Sequence, residues 1–69
     1  MKQSERVEWL KRSGYAEESC KWPGVVRLVR VRGEQYCVAH VYASGSYLLG
    51  VGRVGDVECI EEAYDLAHG

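Results

Sequence analysis

The chain has 69 residues, a mass of 7.8 kDa and a formal net charge of −1. That length excludes a second domain or a second large core, and no apolar run approaches the roughly 20 residues of a membrane span. Hydrophobic residues make up 46% of the chain but include no Phe, so two tryptophans and five tyrosines supply the aromatic volume of a thin core. We read residues 1–69 as one unit, because no repeat, linker or low-complexity tract divides them.

The charge is unevenly placed. Residues 1–32 carry Lys2, Arg6, Lys11, Arg12, Lys21, Arg27, Arg30 and Arg32 against Glu5, Glu8, Glu17 and Glu18. Residues 33–69 carry only Arg53 against Glu34, Asp56, Glu58, Glu61, Glu62 and Asp65. Such a dipole either steers a charged partner or is cancelled when the two halves fold over each other.

The first segment reads as a helix. Ser4 suits the N-cap and Glu5 the positive helix start, Val7 and Leu10 share one stripe, and Gly14 ends it. Trp9 falls off that stripe, at the edge of the core or on the surface. Residues 15–24 read as a connection, with Trp22-Pro23-Gly24 as its turn signal. Val25 to Arg32 is a first strand, and Gly33-Glu34 suits a two-residue hairpin turn. Gln35 to Ala43 is a second strand, ending at Ser44-Gly45, and Ser46 to Val54 is a third. Gly55-Asp56 opens a last helix, Asp56 to Ala67, with Ile60, Ala63, Tyr64 and Ala67 as its apolar stripe and Cys59 beside it. The expected class is therefore α+β: an α-β-β-β-α chain with a three-stranded antiparallel sheet packed on two helices.

Period-two alternation places Tyr47, Leu49 and Val51 on one face of the third strand and Leu48, Gly50, Gly52 and Val54 on the other. In the second strand Cys37, Ala39 and Val41 oppose Tyr36, Val38, His40 and Tyr42. Both faces are apolar. Unless the N-terminal segment or the connection covers it, one face is left as an exposed apolar patch of the kind that marks an interface.

The run Tyr36-Cys37-Val38-Ala39-His40-Val41, the Ser-Gly turn, Leu49-Gly50-Val51-Gly52-Arg53 and a helix with Ala63 and Ala67 together resemble the double-stranded-RNA-binding domain. They are also similar to the N-terminal domain of ribosomal small-subunit protein five. The resemblance implies that the final helix lies close on Gly50 and Gly52, which lack Cβ atoms. It also implies phosphate-binding lysines at the start of that helix. This chain departs there, with Asp56, Val57, Glu58, Glu61 and Glu62, and acids repel phosphates. A weaker likeness links three strands and Ala63-Tyr64-Asp65-Leu66-Ala67 to the AP2 DNA-binding domain, which reads the major groove with sheet arginines; Arg27, Arg30 and Arg32 would be the counterparts. Its loop before the helix is shorter and it requires no N-terminal helix.

Little in the chain suggests chemistry. Cys37 and His40 form a C-x-x-H, but residues three apart on a strand face opposite ways and cannot chelate one ion. Gly50, Gly52 and Gly55 match a G-x-G-x-x-G string without the βαβ unit a dinucleotide site needs. No catalytic residue, cofactor or metal is expected, and His68 is expected to be solvated. Cys20, Cys37 and Cys59 form no close pairs and leave one over, which together with the absence of a signal peptide points to a reducing, cytoplasmic setting.

The expected function is a small non-enzymatic protein-protein interaction module, binding a protein partner or a second copy. Its size suits an adaptor or inhibitor of the sort phages and mobile elements encode. Its contact residues would be Tyr47, Leu49 and Val51 on the sheet with Glu58, Glu61, Glu62 and Asp65 on the last helix. The alternative is duplex RNA or DNA binding through Arg6, Lys11, Arg12, Arg27, Arg30, Arg32 and Arg53. No membrane or small-molecule partner is expected.

Overall fold

The computed structural model describes residues 1–58. Helix α1, Gln3–Arg12, is followed by strands β1 (Ala16–Glu18), β2 (Val26–Arg32), β3 (Gln35–Val41) and β4 (Tyr47–Arg53), then a single 3-10 turn at Val54–Asp56. The class is α+β, with one antiparallel sheet in the order β1-β2-β3-β4. Of the expected final helix, Val57 and Glu58 lie among the described residues and are helical, and Asp56 ends the 3-10 turn. Cys59, Ile60, Glu61, Glu62, Ala63, Tyr64, Asp65, Ala67 and His68 lie outside the described residues.

Three expectations are corrected. The sheet has four strands among the described residues, because Ala16, Glu17 and Glu18 pair with Val29, Leu28 and Arg27. A three-residue Ala-Glu-Glu run has no intrinsic strand preference, and the open edge of β2 imposes the extended form on it. Lys2, not Ser4, flanks α1, and its backbone N–H donates to Glu5 Oε1 at 3.4 Å, the returning half of a capping box. Helical segments do not share one face: α1 packs on one side of the sheet, while Val57 packs against Tyr36, Val38 and Val29 on the other.

The end of α1 follows from sequence directly. Gly14 has φ +96°, its N–H donates to the Lys11 carbonyl at 3.0 Å and the Tyr15 N–H reaches the Leu10 carbonyl at 3.1 Å. That is a Schellman motif, which a left-handed glycine favours, and it delivers Tyr15 into the same cluster as Leu10. At the other end of α1, Gln3 Nε2 donates to the carbonyls of Gly24 at 2.8 Å and Val41 at 3.1 Å. One amide thus ties the helix start to the Trp22–Gly24 turn and to the end of β3.

The hairpins fix the register. Gly33 supplies the positive φ at the first turn position while Glu34 keeps φ negative, as a type II′ turn does, so Arg32 lies opposite Gln35. Between β3 and β4 the Tyr42 N–H donates to Ser46 O at 2.8 Å and Gly45 N–H to Tyr42 O at 2.9 Å. Gly45 then takes φ +91°, the left-handed third position of a three-residue hairpin loop.

With that register, Val26, Leu28, Cys37, Ala39 and Val41 form one layer with Val7, Leu10 and Tyr15. Leu28, Val38 and Val41 are fully buried. β3 runs through the middle, buried at every position from Tyr36 to Val41, and both faces of it are covered.

Tyr15 couples this core to pH. Burial pushes its phenol above the ordinary value of 10.0; the Cys37 thiol adds to the shift and the Arg30 guanidinium, 4.9 Å from the ring centroid, opposes it. Because the folded state holds the proton more tightly than the unfolded chain, Tyr15's contribution is complete below about pH 10 and is lost as pH rises through the folded value. Thermal melts should therefore show Tm falling above pH 10, and Tyr15→Phe should flatten that fall. An unchanged alkaline slope in the variant would assign it to other groups.

Candidate functional site

The two edges of the sheet differ in kind. β1 is three residues long, fully exposed and carries Glu17 and Glu18. Short, charged edges resist pairing with another chain. β4 is seven residues long and pairs with β3 without a bulge, from Val41↔Tyr47 to Gln35↔Arg53. Its side chains Tyr47, Leu48, Leu49 and Val51 are all exposed, with Val51 at 58%. Its one charge is Arg53, at the end, and it contains no proline. β4 has none of the devices that protect β1.

Backbone geometry sharpens this. Val54 N–H donates to Glu34 O at 2.8 Å and Tyr42 N–H to Ser46 O. In this register the even residues of β4 therefore direct their N–H and C=O groups at β3. The odd ones, Tyr47, Leu49, Val51 and Arg53, direct theirs away from the sheet. Among the described residues no strand lies beyond β4. The same odd residues place their side chains on the α1 face, where α1 packs over β2 and β3 and reaches β4 at Tyr47, while Leu49 and Val51 stay exposed.

Trp9 and Arg6 extend the bare strip from the helix side. Trp9, 44% exposed, meets Tyr47 edge-on with centroids 6.2 Å apart. The Arg6 guanidinium lies 4.5 Å from the Tyr47 centroid and 5.1 Å from that of Trp9, and its Nε donates to Gly45 O at 3.4 Å. Arg6 is thereby held in place by cation–π contacts, and the aromatic pair is presented as a fixed surface. Sequence placed Tyr47, Leu49 and Val51 on one face, as found. It did not show that Trp9 and Arg6 join them, since that contact depends on where α1 crosses the sheet.

Glu58 is exposed beyond Val57; the other acids expected at the contact surface, Glu61, Glu62 and Asp65, lie outside the described residues. The basic residues divide between the faces: Arg30, Arg32 and Arg53 share the α1 face, and Arg27 lies on the other. Arg27 donates to the Tyr36 hydroxyl at 3.1 Å on the face opposite α1. Arg30 is on the α1 face, donating to the Ser13 carbonyl at 3.1 Å and lying over Tyr15. Lys11 lies 4.0 Å from Glu8, and Arg12 is exposed on the helix. Arg32 and Arg53 flank Gln35 at one end of the sheet, while Arg6 stands by Tyr47 at the other, about 20 Å along β4.

Cys37 is buried in the α1-side layer and His40, its C-x-x-H companion, is 2% exposed on the other face. Cys20 and Cys37 are free thiols, and no cluster of metal-ligating side chains occurs among the described residues. Gly50 and Gly52 pair with Val38 and Tyr36, the residues under Val57, so this glycine spacing serves packing. No helix among the described residues is long and apolar enough to cross a membrane. No protein-family model matches the chain, and no curated protein or solved structure matches it.

Proposed function

We propose that the chain is a small non-enzymatic protein-binding module whose contact surface is the open edge of β4 with its apolar strip of Tyr47, Leu49, Val51 and Trp9. The observation that carries this reading is the contrast between the two sheet edges. A protein that shields β1 with two glutamates and leaves a seven-residue, apolar-rich strand unpaired at the β4 edge retains a surface that costs solubility, and a binding role offsets that cost. We further propose that the order of α1, the β2-β3-β4 meander and a helical start at Val57 is similar to that of the double-stranded-RNA-binding domain, with β1 added at the sheet edge and Val57 on the face opposite α1. Its support is that α1 precedes the β2-β3-β4 meander and that helical Val57 and Glu58 follow it. Free thiols at Cys20 and Cys37 support a reducing, cytoplasmic setting.

A photoreactive amino acid placed at Val51, and separately at Glu8 on α1, tests the reading in the cells that make the protein. Discrete adducts from position 51 and none from position 8 are expected. Adducts from position 8 alone would overturn it. Duplex RNA and DNA titrations followed by anisotropy address the alternative through Arg32 and Arg53. The protein-binding reading expects no association at physiological salt, whereas tight, steeply salt-dependent binding would replace it with the nucleic-acid one.

A further inference from the structure

The occupant of the β4 edge can be named from the strand itself. Resting on the protein-binding reading, we infer that β4 pairs antiparallel with β4 of a second copy, about a two-fold axis through Gly50. A two-fold axis normal to the sheet keeps each face on its own side, so directly opposed residues must both be odd or both even. Gly50 is the midpoint of Tyr47–Arg53, and centring the axis there pairs all seven residues. Tyr47 then faces Arg53 of the second copy, Leu48 faces Gly52, and Leu49 faces Val51.

Three features of β4 favour this register. The opposed odd residues are the ones whose backbone groups point outward, so the ladder closes with about eight N–H···O bonds and leaves no mismatched polar group. On the α1 face, Leu49 and Val51 of the two copies form one apolar patch, flanked at each end by Tyr47 and Trp9. Finally, the two Arg53 side chains lie at opposite ends, each with its stem against a tyrosine ring. A parallel pairing of the same edges needs a two-fold axis along the strands, which turns the second copy over and splits the Leu49–Val51 patch between the two faces. Slipping by two residues either seats Arg53 against Leu49 or leaves it beyond the ladder.

Sedimentation velocity from about 1 μM to about 1 mM protein, the range in which a ladder of this size should associate, measures the pairing. The decisive variant is Val51→Pro. The Val51 N–H makes no bond to β3, so proline removes an outward donor while the β3–β4 ladder stays whole, and edge strands accept it. Wild-type protein and Val51→Thr should dimerise, and Val51→Pro, folded by near-ultraviolet circular dichroism, should need at least about tenfold more protein to do so.

If Val51→Pro does not fold, cysteine crosslinking decides instead, with Cys20 and Cys59 replaced by serine. Mixing Leu49→Cys with Val51→Cys protein should give the disulfide dimer, since opposed Cα atoms lie about 5.5 Å apart. Neither variant alone should give it. Crosslinking of Leu49→Cys or of Val51→Cys alone would overturn the register. A wild-type monomer up to about 1 mM, or a dimer unaffected by Val51→Pro, would overturn self-pairing. Failure of self-pairing leaves the protein-binding reading to its own photocrosslinking test. There, an adduct with twice the monomer mass marks a second copy and any other mass a different partner.

Discussion

Leu28→Ala should leave much of the protein unfolded at 37 °C. Leu28 has no exposed surface and stands at the centre of the layer formed by Val7, Leu10, Ala39 and Val41. Truncating a fully buried leucine costs about 2–5 kcal/mol, the lost transfer energy plus the cavity. A chain of this length has a total stability of roughly 3–10 kcal/mol, so one side chain accounts for a large share. Urea unfolding should show a lowered midpoint with an unchanged slope. Val31→Ala is the matched control, because Val31 is 56% exposed, and it should cost under about 0.5 kcal/mol. A Leu28→Ala midpoint as high as the control's would mean that the α1-side layer is not the core.

Gly45→Ala should be the most damaging single-methyl change. Gly45 sits at φ +91°, where an L side chain is strained, and a Cβ built there would collide with the Met1 carbonyl. Left-handed strain alone costs about 1–2 kcal/mol, and the N-terminus must also move or the turn open. The turn positions Tyr47 and accepts the Arg6 hydrogen bond, so the damage should reach the aromatic strip as well. A double-mutant cycle separates the two causes: deleting Met1 should recover the steric part and leave the conformational part. Full additivity would mean that the collision relaxes at no cost. Gly33→Ala serves as comparison, since Gly33 is also left-handed, at φ +56°, but nothing lies within 4 Å of an added Cβ. It should lose only the conformational term.

Local rules made much of this fold readable. Gly14 after the Val7–Leu10 stripe gave the helix end, Gly33-Glu34 gave the first hairpin, and strict alternation sorted β3 and β4 into the faces that the register displays. Each of these depends on residues within a few positions of one another. What failed depended on distant partners. Ala16–Glu18 becomes a strand only because β2 offers it an edge, and Lys2 rather than Ser4 starts α1 because Gln3 is anchored to Gly24 and Val41. The candidate site divides the same way. Tyr47, Leu49 and Val51 were legible as a face, whereas Trp9 and Arg6 join them through a helix crossing that no periodicity encodes. The placement of the arginines was half legible: alternation separated Arg27 from Arg30 and Arg32, but the ring contacts that hold Arg6 and Arg30 were not visible.

Residue-resolved amide exchange distinguishes an open outer edge of β4 that pairs with a second copy from a closed one. In dilute protein the amides of Leu48, Gly50 and Gly52, bonded to β3, should exchange slowly, while those of Leu49, Val51 and Arg53 exchange quickly. Raising the concentration toward about 1 mM should slow the second set by about tenfold or more and leave the first unchanged. Uniform protection along β4 in dilute solution would contradict the open edge, and a fast set indifferent to concentration would contradict its pairing with a second copy.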